Sequence, residues 1–141
     1  LVQGRTFIMT DISKQTFNQV GFGCDTLLSL TESHLHSTVE HYRQCVYLHD
    51  HRHLLCPFDV AFIEEEVDNA NRLRRRLTFI CENIAETIGH PGLSTLTRAA
   101  RLLHFRELVA DLQDHHTLLR ASMVFEVRRR FERTLRLLRM F

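Results

Sequence analysis

The chain has 141 residues, 44% of them hydrophobic and 25% charged, and its 18 basic and 17 acidic residues leave a formal charge of +1. That length and apolar content suit one compact core and exclude a disordered tail, while the near-neutral balance leaves no global field of the kind that draws in nucleic acid. Five glycines and two prolines, none beyond Gly92, are too few for the many turns of a sandwich or barrel, so the expected class is all-α.

In chain order, residues 1–24 are expected to form an N-terminal arm with a short helix over 11–20, stopped by Gly21 and Gly23. The opening residues lack a charged segment followed by an apolar one, so no targeting peptide is expected there. Residues 25–141 are expected to be the helical bundle domain. Asp25 is placed to cap a helix reaching about His49, with Leu28, Leu35, Val39, Tyr42 and Val46 recurring at helical spacing. Residues 50–56 read as a connection, and Pro57 suits a first helical turn.

The next segment carries the clearest pattern. Val60, Ile63, Val67, Ala70, Arg74, Leu77, Cys81, Ile84 and Ile88 alternate in steps of three and four, and Arg74 alone interrupts the apolar series. Asp59 is placed to cap it, Glu64, Glu65 and Glu66 suit the positive end of the helix, and Gly89, Pro91 and Gly92 end it after about 29 residues. Beyond Gly92 the boundary has to come from polarity, and the run from Asp114 to Thr117 supplies it. One helix is expected over 95–113, burying Ala99, Leu102, Leu103, Phe105, Val109 and Leu112. Another is expected over 117–140, burying Leu119, Val124, Val127, Phe131, Leu135 and Leu138. Four long helices with short connections predict an antiparallel up-down-up-down bundle, not the crossover topology of helical cytokines.

Ten histidines invite a metal reading. His41, Cys45 and His49 fall at i, i+4 and i+8, on one helix edge, and His51, His53 or Cys56 can approach from the following connection. This set would make a zinc module, although it matches neither paired Cys-x2-Cys hooks nor a His-Glu-x-x-His helix. The competing account is a solvated His-rich helix end that complements the helix dipole. A di-iron bundle needs Glu-x-x-His on two helices, and the chain has none. Cys-x-x-Cys-His haem attachment, a nucleophile elbow and a phosphate loop are also missing from the sequence, so no enzyme is expected, and no cofactor beyond zinc.

The cysteines suggest a second use. Cys24 with Cys81 and Cys45 with Cys56 are both centred on the connection near residue 51. In an antiparallel hairpin, each pair would therefore face across the seam and form two nested disulfides, provided the Cα atoms approach to about 4.4–6.8 Å. The alternative is four reduced thiols acting as small hydrophobes. Nested bridges are similar to those of coiled-coil-helix proteins of the mitochondrial intermembrane space, whose twin Cys-x9-Cys spacing this chain does not have. Bridging would place the chain in that oxidising compartment, and it would compete with zinc for Cys45 and Cys56.

The final helix holds seven arginines against Glu126 and Glu132, a local charge of +5 between residues 117 and 141. Arg128, Arg129, Arg130, Arg133, Arg136 and Arg139 are the expected partner-binding residues. An acidic protein face is the expected partner, with a peripheral anionic membrane as another acceptor of such a helix. The arginines lack the interleaved aromatics of a single-strand nucleic-acid platform, so no specific nucleic acid is expected. No hydrophobic run approaches the ~20 residues that cross a bilayer. The expected function is that of a non-enzymatic interaction or structural subunit of a larger protein assembly, a mitochondrial complex if the bridges form.

Overall fold

The computed structural model describes the backbone of residues 17–113 and 115–140, and the side chains of 25–113 and 119–140. The described residues form α1 (Phe17–Asp50), a 3-10 turn (Arg52–Leu54), α2 (Pro57–Gly89), α3 (Thr95–Leu112) and α4 (His115–Arg139). The all-α expectation holds, with the helices packed on one another. The expected arm over residues 1–10 and most of the short helix over 11–20 lie outside the described residues.

The stop at Gly21 and Gly23 is overturned, because α1 runs unbroken from Phe17 through both glycines. A helical glycine costs about 1 kcal/mol relative to alanine, which weakens a helix without ending it. Asp25 is consequently an exposed interior residue and not a cap. α2 begins where Pro57 can serve as its first residue, with Cys56 as N-cap and no side-chain capping bond. Asp59 sits in the first turn, not at the cap. α3 is capped by Ser94, whose hydroxyl accepts from the Thr97 amide at 3.2 Å. The connection before it is tied down by Arg98, which donates to the carbonyls of Thr87 at 3.1 Å and His90 at 2.6 Å.

Two apolar clusters hold the helices. Leu27 of α1, Ile80 and Ile84 of α2, and Leu102 and Val109 of α3 form one. Cys45 and Leu48 of α1, Ile63 of α2, and Val124, Val127 and Phe131 of α4 form the other. The cluster that holds Leu27 of α1 holds Ile80 and Ile84 of α2, and the one that holds Leu48 holds Ile63.

The buried face of α1 is rotated by one residue from the expected stripe. Leu27, Thr31, Thr38, Cys45 and Leu48 are buried, whereas Leu28, Leu35, Val39, Tyr42 and Val46 are only half-buried. Threonine can occupy this face because its hydroxyl finds a local acceptor: Thr31 donates to the Leu27 carbonyl at 2.7 Å and Thr38 to that of His34 at 2.9 Å. On α2, Ile63, Ala70, Leu77 and Ile84 are buried as expected, joined by Asp59, Glu66, Ile80 and Thr87. Arg74, the odd member of the expected stripe, lies half-buried with its guanidinium 5.2 Å from the Tyr42 ring centroid. On α4, Leu119 and Leu138 prove exposed, at 62% and 55%.

Candidate functional site

Between the two apolar clusters, the seam carries charge. Glu66 follows Ile63 by three residues and precedes Ala70 by four, so α2 places its carboxylate on the buried face. It accepts from His41 Nε2 of α1 at 2.8 Å and from Arg120 Nη1 of α4 at 2.9 Å. Arg120 Nη2 also donates to Glu65 at 2.9 Å. Burial alone would raise the Glu66 pKa, but the hydrogen bonds and charges of His41 and Arg120 outweigh it and hold the carboxyl below the usual range. An ionised Glu66 makes His41 Nε2 the donor, so one carboxylate joins three helices.

Beside this join opens a cavity of about 550 Å³. His41 and Glu66 contribute to it with Asn69, Arg76, Asp111 and Arg120, and Leu73 and Leu112 supply apolar wall. Cys45 Sγ stands 3.8 Å from His41 Nε2, which is already engaged by Glu66. Burial, followed by the nearby Glu66 charge, pushes the Cys45 thiol up to about 12. It is therefore a protonated core thiol at neutral pH, unlike the thiolate that acts as nucleophile or metal ligand.

The expected zinc set is dispersed by these contacts. His49 Nε2 turns to Glu64 at 3.7 Å, His51 Nδ1 meets the Tyr47 carbonyl at 2.8 Å, and His53 and Cys56 are exposed. Among the described residues no group of three or more His, Cys, Asp or Glu side chains is arranged to hold a metal ion. Helical spacing brings His41 and Cys45 together, but the rest of the set diverges around the helix end.

Cys45, Cys56 and Cys81 are free thiols. Cys45 is packed among Leu48, Ile63, Val124, Val127 and Phe131, whereas Cys56 is exposed at the start of α2. Their shared centre in the sequence does not bring the two sulfurs into a bridge, because Cys45 faces the core from α1 while Cys56, the extended N-cap of α2, faces outward. The Cys24 side chain lies outside the described residues, while Cys81 is unbridged.

The arginines of α4 divide into two groups. Arg130 makes a two-pronged pair with the buried carboxylate of Asp59, at 2.7 and 3.0 Å. Arg128 lies 3.7 Å from Glu132, and Arg129 lies 3.1 Å from Glu126. These pairs, with Arg120, account for more of the positive charge than the two glutamates of α4 could. Arg133, Arg136 and Arg139 are exposed and have no ion-pair partner among the described residues.

Sequence reasoning missed Glu66, Arg120 and the Asp59–Arg130 pair as structural joins. The signal was present in the phase of Glu66 between Ile63 and Ala70, and a carboxylate at such a position calls for an inward cation. Compared with known proteins, the chain matches no family model, no curated protein and no solved structure. Among the described residues no helix is long and apolar enough to cross a membrane.

Proposed function

We propose that the chain is an antiparallel four-helix bundle serving as a non-enzymatic interaction subunit of a larger protein assembly, docked through the end of α4. The antiparallel reading is supported by the descending α2 positions met along α1. The observation that carries the functional reading is the uncovered last turn of α4. Leu138 shares a helix face with Val124, Val127 and Phe131, yet it is 55% exposed where they are buried. Leu137 and Met140 are exposed beside it, together with Arg133, Arg136 and Arg139. Apolar side chains around a helix end, mixed with arginines that lack a partner within the described chain, fit a protein interface with an acidic surface.

Native mass spectrometry of material isolated from its source tests this reading. The expected result is a complex with another protein that is lost in Arg133→Gln/Arg136→Gln/Arg139→Gln and retained in an exposed control variant such as Arg72→Gln. A monomer, or a complex indifferent to the triple change, rejects the α4 end as the docking surface.

A further inference from the structure

The outer side of α4 carries a narrower pattern than a general basic surface. Phe125, Arg129, Arg133 and Arg136 follow steps of four, four and three, and Met140 stands four residues further on in the turn that ends the helix, all exposed and on the side opposite the buried Phe131. They form one line about 22 Å long, with three guanidinium groups between two apolar ends. Arg129 shares an exposed pair with Glu126, an interaction of little strength that a partner carboxylate can replace, and Arg133 and Arg136 have none among the described residues.

We propose, resting on the docking role assigned above, that this line receives an acidic amphipathic helix. Its carboxylates would recur at i, i+4 and i+7, flanked by apolar residues one turn outside each end. The matching period follows from the shared rise of two helices lying side by side, which lets three carboxylates meet three guanidiniums without bending either backbone. Arginine suits this role because its planar fork donates two parallel N–H bonds to a carboxylate.

The order of residues separates a protein helix from a lipid surface. A membrane-bound helix keeps its apolar side chains together on the buried face and its cations at the margin. Here the arginines occupy the centre of the line, so inserting Phe125 and Met140 together would press Arg129, Arg133 and Arg136 against the acyl chains. An acidic helix places charge opposite charge and an apolar residue opposite each end.

The test uses the full chain and two synthetic helical peptides of identical composition. One carries Glu and Leu in the matching pattern, and the other has the same residues permuted around the helix. The patterned peptide is expected to bind about tenfold more tightly, a difference of roughly 1.4 kcal/mol. Arg133→Glu/Arg136→Glu should abolish that preference, and a patterned peptide with Lys replacing Glu should bind this variant but not the parent chain. Equal binding of both peptides, or no recovery with the Lys peptide, overturns the helical register. Sedimentation with phosphatidylserine-containing vesicles that is stronger than peptide binding overturns it in favour of lipid. Loss of the native complex in the triple Gln variant, alongside equal binding of the two peptides, would retain an acidic partner and remove only its helical form.

Discussion

α3 and α4 rest on the same α1–α2 pair, but different forces seat them. Leu102 and Val109 of α3 enter an apolar cluster with Leu27, Ile80 and Ile84, and Arg98 adds bonds to backbone carbonyls. Val124, Val127 and Phe131 of α4 enter a comparable cluster, while Arg120 and Arg130 reach buried carboxylates on α2. Backbone carbonyls do not titrate, whereas carboxylates do. The seat of α4 should therefore respond to acid through its ion pairs, whereas on the α3 side the titrating group is the half-buried His34 of α1, beside the Leu112 backbone.

The largest expected effect tests the apolar part of the α4 seat. Phe131 is 1% exposed and meets Tyr47 edge to face at 5.8 Å. Phe131→Ala should destabilise the chain by about 3–5 kcal/mol, measured by chemical denaturation, and speed amide exchange along α4. Leu102→Ala provides the counterpart, with about 2–5 kcal/mol expected and faster exchange centred on α3. If Phe131→Ala folded with unchanged stability and lost only association, Phe131 would belong to a partner interface and the second cluster would be wrong.

Removing the charge of Glu66 should separate the two seats more sharply. Glu66→Gln leaves His41 and Arg120 facing a neutral side chain, and a loss of about 2–3 kcal/mol is expected for this largely buried join. Exchange should rise along α4 and at His41 on α1 before it rises on α3. Arg98→Ala should do the reverse, loosening the start of α3 while α4 stays protected. Equal loosening of both helices by Glu66→Gln would show one cooperative unit and erase the distinction.

How far this contrast could be read beforehand depended on the type of residue at each buried position. The apolar spine of α2 was legible because Ile63, Ala70, Leu77 and Ile84 combine hydrophobic type with helical phase. The ends of α3 were legible from the turn before it and the polar run after it. The face of α1 was misread because Thr31 and Thr38 are polar by type but satisfied by carbonyls one turn back. The charged seam was hidden for a related reason. Glu66 and Asp59 look like exposed first-half acids until their phase is compared with Ile63, and their cations lie more than fifty residues away, beyond any local spacing rule. The symmetry of Cys45 and Cys56 misled because equal distance from a turn does not fix which way a side chain faces.

Acid provides a graded test of the same contrast. Glu66 has a depressed folded-state pKa, so its contribution is present above the ordinary carboxylate range and lost as pH falls through the lowered value. His34 is also shifted down, by burial, opposed by a hydrogen bond to the Leu112 backbone. Its neutral form is therefore favoured in the fold, and stability should begin to fall as pH drops below about 6.5, before Glu66 responds. Urea midpoints across this window should decline in the parent chain and decline less in His34→Gln. A later fall that Glu66→Gln weakens would assign the acid limb to the α4 seat, and identical profiles for parent and variants would remove both groups as its source.

The smallest effect on folding should come from the most charged part of the molecule. Arg133, Arg136 and Arg139 are exposed, so changing all three to Gln should shift stability by no more than about 0.5 kcal/mol. Association should behave differently, because charges at an interface accelerate encounter over a distance limited by the Debye length, about 10 Å at 0.1 M salt. The triple variant should bind the native partner more slowly at low salt, and the gap from the parent should narrow as salt rises. Stopped-flow association measured beside a urea titration places both quantities on one pair of proteins. A large fall in stability would make these arginines part of the α4 seat, whereas an unchanged association rate at low salt would reject the end of α4 as the docking surface.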